Sequence, residues 1–274
     1  VNMNLVNGKS SSSISIFDRG FLYGDGIFET ILVINKTLIN WPLHLKRIRA
    51  GCSTLKFKKL NYDLLSEHII KATSNVDNCV LSVNITRGTA KKRGYNINMG
   101  EVNPNIILTT SNIPDYPDTY AKTGIHTKFS KNTLSDNGQL SKIKHLNRLE
   151  QVLATSEITK KFPEIILCDK KHNIIEGTAS NIFFIKKDTF YSPLIEDCGV
   201  EGAMKSFIIK AMKRNKIKLK IKKIKEKDIG SYDGAFFCNS IRLVWNIKSV
   251  DGVTYKKNNN ILKLIKIINN EIYK

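Results

Sequence analysis

Ile143-Lys144-His145-Leu146-Asn147-Arg148-Leu149-Glu150-Gln151-Val152-Leu153-Ala154 is the segment from which the architecture of this chain can be argued. Leu146, Leu149, Val152 and Leu153 recur at three-, four- and seven-residue spacings, an apolar stripe that predicts a helix with Lys144 near its start. Glu150 and Gln151 extend the polar face. Pattern alone makes Lys144 an ordinary solvated lysine, since lysine is almost never buried without a partner.

Upstream, residues 3–9 read as a strand closing on Asn7-Gly8, a hairpin signal. Phe17 to Thr30 carries three glycines and two aspartates, a tight loop leading into a strand over Ile27–Ile34. Pro42–Lys56 predicts a helix with proline in its first turn, in which His44 reads as a packed histidine and Arg47 as a surface arginine. A helix over Asp63–Thr73 and strands over Cys79–Arg87 and Asn105–Thr110 follow. Arg87-Gly88-Thr89-Ala90-Lys91-Lys92-Arg93-Gly94-Tyr95 is a basic, glycine-punctuated loop, by itself a weak anion signal. Pro114 and Pro117 mark residues 113–123 as a connector between a domain over 1–112 and another over 124–274.

Downstream, Gly124–Phe129 starts the second domain as a strand, and Thr133–Ser141 is expected as a loop. Glu164–Cys168 and Ile174–Glu176 are further strands, ahead of Glu176-Gly177-Thr178-Ala179-Ser180-Asn181-Ile182-Phe183. Taken singly, Glu176 would be a strand-end surface carboxylate. Gly199-Val200-Glu201-Gly202-Ala203-Met204-Lys205 opens a helix through Arg214, and a helix N-terminus is a ready anion site. The run Lys210–Lys227 alternates Ile217, Leu219 and Ile221 with lysines, as a half-buried strand would. A strand at Ala235–Cys238 leads to Asn239-Ser240-Ile241-Arg242, and an amphipathic helix over Ile261–Ile272 ends the chain.

These segments together resemble the class IV, or fold type IV, pyridoxal-phosphate enzymes. I-K-H-L-N-R-L-E-Q is similar to the family's active-lysine segment, and Asp18 to Thr30 to its D-R-G-x-x-x-G-D-G-x-F-E-T pattern. His44 to Ile48 resembles H-x-x-R-L, and Glu176 to Phe183 resembles E-x-[small]-x-x-N-[apolar]-aromatic. The R-G-x-x-x-x-R-G-Y form of residues 87–95 is closer to the aminodeoxychorismate lyase branch than to the aminotransferases. The likeness runs from about Leu5 to Lys248, with the motifs in family order. Two departures stand out. Ala203 replaces the usual Ile or Val, and Ser192-Pro193 stands where the family has Thr-Pro.

The resemblance implies an α+β fold of two domains, a smaller α/β N-terminal one and a larger C-terminal one carrying the lysine, with pyridoxal 5'-phosphate in the cleft between them. It implies a homodimer. Lys144 would form the Schiff base and act as general base, with Thr30 assisting proton transfer. Glu176 would keep the pyridine nitrogen protonated. Arg47, Ser180, Asn181, Val200, Ala203, Met204 and Ser240 would complete cofactor binding: Arg47, Ser240 and the start of the Ala203 helix on the phosphate, and Val200 on the ring. Phe28, Arg93, Tyr95, Arg148 and Arg242 would meet a small dicarboxylate substrate. The implied reaction splits 4-amino-4-deoxychorismate into 4-aminobenzoate and pyruvate, a step of folate biosynthesis. D-amino acid and branched-chain aminotransferases are the alternatives on the same scaffold. Arg148 argues against the branched-chain reading, where tyrosine is common, and the Arg93-Gly94-Tyr95 loop against the D-amino acid one.

Composition narrows the remaining classes. The 274 residues are 41% hydrophobic, enough for a substantial core. No apolar run reaches membrane-spanning length, and Val1 to Gly8 lacks a signal-peptide layout. Five scattered cysteines form no CxxC pair, which argues against a zinc site and suits a reducing cytoplasm. The net charge of +20 invites nucleic acid, but most of the excess is lysine spread along the chain, and no stacking aromatics interleave the Lys210–Lys227 run.

Overall fold

A computed structural model describes residues 3–57, 60–90, 93–97 and 102–273. The chain is an α+β protein whose residues group into two compact units, Val1–Pro114 with Ile143–Asn147, and Asp115–Lys142 with Arg148–Lys274.

The first unit runs β1 (Asn4–Val6), β2 (Lys9–Ser10), α1 (Arg19–Tyr23), β3 (Gly26–Ile34), β4 (Thr37–Leu38), α2 (Trp41–Thr54), α3 (Tyr62–Thr73), β5 (Cys79–Thr86) and β6 (Asn105–Ser111). Its described strands form a six-stranded antiparallel sheet in the order β2-β1-β6-β5-β3-β4. The expected hairpin is present, with Asn7 and Gly8 both at positive φ between β1 and β2. Along β3, Ile27, Ile31 and Val33 sit in the apolar core together with Ile48 and Cys52 of α2. A Cβ on Gly51 would stand 2.9 Å from Ile27 Cγ2, so glycine lets α2 lie close on the strand. Asn61 caps α3, accepting from the amides of Asp63 and Leu64.

The second unit contains α4 (Thr119–Lys122), β7 (Ile125–Thr127), β8 (Phe129–Leu134), α5 (Leu149–Thr155), β9 (Ile166–Asp169), β10 (Ile174–Gly177), β11 (Asn181–Lys186), β12 (Thr189–Pro193), α6 (Ala203–Arg214), β13 (Lys218–Lys222), a 3-10 turn (Glu226–Ser231), β14 (Gly234–Asn239), β15 (Leu243–Val250), β16 (Val253–Thr254) and α7 (Asn259–Ile272). β10-β9-β8 make a three-stranded sheet, and β13-β12-β11-β14-β15-β16 a larger one that β7 joins beside β15. Asn181 to Ile185 of β11 are buried, and Phe183 stacks on Phe236 of β14 with ring centroids 5.0 Å apart. The lysine-rich strand is less covered than its alternation predicts. β13 lies at the edge of its sheet, only Leu219 is partly covered, and Ile221 is exposed. Its lysines mark a protected edge, since charge there discourages further strand pairing.

The predicted helix over Ile143–Ala154 is replaced by two different structures. Only Leu149–Thr155 is helical, and Ile143–Asn147 is a non-helical segment, with bends at Ile143 and Leu146, that groups with the first unit. Local spacing is overridden by sheet pairing. The Phe28 amide donates to the Lys144 carbonyl at 2.9 Å, the Leu146 amide to the Gly26 carbonyl at 3.0 Å, and Ile27 bridges His145 antiparallel. The stripe residues Leu149, Val152 and Leu153 stand 75%, 60% and 59% exposed, so that stripe is not what buries this segment. Likewise, β8 occupies the first part of the expected 133–141 loop.

This pairing depends on Gly26. A Cβ there would fall 2.6 Å from Leu146 Cδ1 and 2.7 Å from the Ile85 carbonyl oxygen, and the backbone oxygen cannot swing away. Gly26→Ala is expected to cost about 1–3 kcal/mol and to expose the Phe28 amide. Urea unfolding and hydrogen exchange at Phe28 check this; unchanged protection there would refute it.

Candidate active site

In the first unit the pairing with β3 puts Lys144 directly opposite Phe28, and the lysine Nζ lies 4.1 Å from the centre of the Phe28 ring. Thr30 is two residues further along β3, on the same face as Phe28 and opposite to Ile27 and Ile31. All three side chains are half-buried. The sequence therefore named a lysine, an aromatic ring and a hydroxyl that share one strand face.

The other face of β3 carries Glu29 into the core. Its carboxylate is clamped by Arg47, whose Nε donates to Oε1 and Nη2 to Oε2, both at 2.6 Å, and it pairs with His44 Nδ1 at 2.7 Å. His44 is fully buried, as a packed helix histidine should be. Burial pushes the Glu29 carboxyl up, but the Arg47 charge and hydrogen bonds, then those of His44, outweigh it and hold it at about 2. A folded-state value below the ordinary 4.5 means this pairing stabilises the fold above pH 4.5, and the contribution is lost as pH falls through 2. Glu29→Gln is expected to be less stable at neutral pH and to lack that portion of the acid dependence. Urea titrations at several pH values between 4.5 and 2 check it; parallel curves for variant and wild type would refute it.

The D-R-G and G-D-G residues form an internal brace. Asp18 accepts from the Gly20 amide at 2.7 Å, Thr86 Oγ1 at 2.8 Å and Asn105 Nδ2 at 2.7 Å. Asp25 receives Nε of Arg19 at 2.9 Å and of Arg87 at 2.7 Å. Arg19 also donates to the carbonyls of Gly94 at 2.7 Å and Tyr95 at 3.2 Å, and the Gly94 amide donates to the Tyr23 hydroxyl at 3.0 Å. Tyr23 and Tyr95 meet edge to face at 5.2 Å. The predicted substrate residues Arg93 and Tyr95 are exposed, on a loop whose backbone is tied to α1. Arg19 and Tyr23 do this tying, and sequence reasoning gave them no role.

In the second unit, Glu176 and Asn181 hold the Val200 peptide from both sides. Glu176 Oε2 accepts from the Val200 amide at 2.8 Å, and Asn181 Nδ2 donates to the Val200 carbonyl at 2.9 Å. Glu176 is buried, unlike a strand-end surface carboxylate. Gly199 is at φ +90° and Gly202 caps α6, where a Cβ would meet Asn181 Oδ1 at 2.0 Å. Ala203 and Met204 are buried in the first turn of α6, whose cap residue has no side chain to satisfy the amides. Lys205 is buried as well, with Nζ 3.3 Å from Glu201 Oε1.

A second carboxylate, Glu164, is fully buried and was not singled out in the sequence. It accepts from the Thr178 amide at 2.8 Å, the Thr178 hydroxyl, Ser180 Oγ at 3.1 Å and the Arg242 guanidinium. Arg242 also lies over the rings of Trp245 at 4.4 Å and Tyr116 at 5.6 Å. Thus Ser180 and Arg242, expected on cofactor and substrate, both hold Glu164. Asn239 Oδ1 accepts from the amides of Ile241 at 3.0 Å and Arg242 at 2.6 Å, while its Nδ2 donates to the Ala179 carbonyl at 3.0 Å. Half-buried Ser240 sits in the turn so formed. Arg148 is half-buried at the residue preceding α5. The missed residues had only faint signals: Glu29 occupies a core position in the β3 alternation, and Glu164 adjoins a buried strand.

Comparison with known proteins places this geometry. Residues 26–250 match the family described as Amino-transferase class IV. Aminodeoxychorismate lyase of Vibrio harveyi is 26% identical over 254 residues, covering 92% of each chain. The crystal structure of 4-amino-4-deoxychorismate lyase from Pseudomonas aeruginosa superposes with a TM-score of 0.94 at 28% identity, covering 98% of this chain and 99% of that one. D-alanine aminotransferase of Staphylococcus aureus is 28% identical over 207 residues, 73% of this chain and 71% of its own. With a family match over most of its length, this chain belongs to the class IV aminotransferases.

Proposed function

We propose that the chain is a pyridoxal-phosphate-dependent lyase that converts 4-amino-4-deoxychorismate to 4-aminobenzoate and pyruvate, acting as a cytoplasmic homodimer. The observation that carries this reading is the likeness to two such lyases, one 26% identical over 92% of each chain and one superposing with a TM-score of 0.94 at 28% identity.

The donor set fits the cofactor. An anionic phosphate calls for backbone amides and guanidinium, and the α6 N-terminus is capped by Gly202, which has no side chain and whose Cβ, if present, would collide with Asn181. A pyridine nitrogen calls for a buried acid, which Glu176 is. Arg47, Ser240 and the amides of Ala203 and Met204 would hold the phosphate. Val200, its peptide clamped by Glu176 and Asn181, would pack on the ring. When bound, the cofactor supplies an electron sink for the carbon that bears the substrate amine.

The residues then divide the work. Lys144 would hold the cofactor and would take the proton from the amine-bearing carbon of the substrate. Phe28 shapes the space around that amine, and Thr30 assists the proton's movement. Glu176 would keep a proton at the ring nitrogen. The enolpyruvyl carbon–oxygen bond breaks as the ring becomes aromatic, and the departing enol takes up a proton to give pyruvate, so no co-reactant is needed. Arg93, Tyr95 and Arg148 serve the substrate's two carboxylates. Arg242, already holding Glu164, and Ser180 act as braces of the loops around Ser240.

The test is conversion of 4-amino-4-deoxychorismate by the purified protein with pyridoxal 5'-phosphate. Equal amounts of 4-aminobenzoate and pyruvate are expected. Their absence, with amino transfer from a D- or L-amino acid to a keto acid, would overturn the lyase reading in favour of an aminotransferase.

A further inference from the structure

The amphipathic pattern of α5 is turned outward. Ala154 is fully buried, and Glu150 Oε1 accepts from the Ser135 amide at 2.9 Å, just past the end of β8. The large apolar residues Leu149, Val152 and Leu153, three and four residues apart, lie on the outer side and are exposed. A surface helix of a lone molecule buries such a stripe and shows its polar residues to water, so this face calls for a covering partner.

Charge selects the partner. The chain has 44 lysines and arginines among its 274 residues, yet none between Arg148 and Lys160. Both acids of that stretch are engaged towards β8: Glu150 as described, and Glu157 by the Ser130 hydroxyl at 2.7 Å, the Lys131 amide at 2.9 Å and the Lys128 ammonium at 3.0 Å. Next to the stripe, the exposed side chains are those of Thr155 and Ser156, which are neutral. A polyanion or an anionic membrane recognises cations, and this face offers none among the described residues. An isologous contact uses the same patch on both copies, so any unpaired charge in it lies near its own like. A chain of net charge +20 therefore meets itself at least cost where its surface is neutral and apolar.

We propose that the outer face of α5 is buried against a second copy of the chain, as the apolar centre of a homodimer contact. This rests on the homodimer reading above and names the surface that carries it. Three side chains fall short of the roughly 800 Å² per partner that a stable contact buries, so a polar rim surrounds them.

The experiment is sedimentation velocity of the full chain over a concentration series, with circular dichroism on each sample, for wild type, Val152→Lys, Leu153→Lys, Val152→Thr and Ile221→Lys. Wild type is expected to dimerise. Val152→Lys and Leu153→Lys are each expected to raise the dimer dissociation constant by at least roughly 100-fold, since each desolvates an ammonium twice, once per copy. Both sites are exposed in the single chain, so the separated copies should keep the wild-type dichroism. Val152→Thr has nearly the same shape and remains the informative variant where lysine disturbs folding; it is expected to raise the constant by about tenfold. Ile221→Lys adds the same charge on the exposed edge strand β13 and is expected to dimerise as wild type does. If the α5 variants dimerise as tightly as wild type, the proposal is wrong. If Ile221→Lys dissociates the dimer as strongly as they do, net charge and not α5 is responsible, and the proposal is again wrong. If wild type is monomeric at every concentration, the homodimer reading itself falls and the proposal with it.

Discussion

Replacing Lys144 with alanine is expected to cut formation of 4-aminobenzoate by at least roughly 10³-fold, the scale of removing a positioned acid–base group that also holds the cofactor. The protein should stay folded. The Lys144 carbonyl accepts from the Phe28 amide at 2.9 Å, and alanine keeps that bond. Losing the contact between the ammonium and the Phe28 ring costs about 0.5–1 kcal/mol. Activity and stability should therefore separate. Turnover collapses while the urea midpoint shifts slightly. A variant that keeps a tenth or more of wild-type turnover would remove Lys144 from the reaction, and one that unfolds would show that the side chain has a structural duty as well.

The second large effect belongs to Glu164. This carboxylate is fully buried and ties Thr178, Ser180 and Arg242 together, so it joins the loop entering β11 to the turn leaving β14. Removing one member of a buried ion pair strands the other charge, which typically costs about 3–5 kcal/mol. Glu164→Ala is expected to destabilise the second unit by that amount and, because Ser240 lies in the attached turn, to weaken retention of pyridoxal phosphate. Glu164→Gln should cost less, since its oxygen still accepts from the Thr178 amide. Urea unfolding with and without cofactor reads both effects. A loss below about 1 kcal/mol for Glu164→Ala would mean that Arg242 finds another partner or water, as exposed pairs do.

Much of the fold was legible because regular elements in this chain announce themselves. The Asn7-Gly8 turn, the alternation along β3 and the terminal helix over Asn259–Ile272 follow from local rules of turn geometry and periodicity. The segment around Lys144 was misread for a physical reason. Its leucine spacing suits a helix, but the open edge of β3 next to Gly26 offers two backbone hydrogen bonds and cover for Ile143, and a tertiary partner of that kind does not appear in a sequence window. The consequence reaches function, because a strand-like residue opposite Phe28 points differently from one in the first turn of a helix.

Site residues were legible to the extent that the family resemblance marks them. Glu176 and Asn181 stood out through the resemblance to the family motif, and both turn out to grip one peptide, that of Val200. Arg47 stood out only through the resemblance, and its partner Glu29 not at all, although an acid in line with Ile27 and Ile31 should have been read as buried and paired. Arg242 shows the same limit from the other side. Sequence shows a cation near a candidate site and says nothing of Glu164, 78 residues away, which occupies it. Pairing across long separations is what the sequence alone withholds, and it decides which arginines remain for a substrate.

The most direct test of the account is to find which amine carries the cofactor. The purified protein is incubated with pyridoxal 5'-phosphate and reduced with borohydride, which fixes the cofactor to the lysine holding it, then digested and mapped by mass spectrometry. The account predicts one modified peptide, labelled at Lys144. Label at exposed Lys142, at buried Lys205, or scattered over surface lysines with none at Lys144, would contradict it.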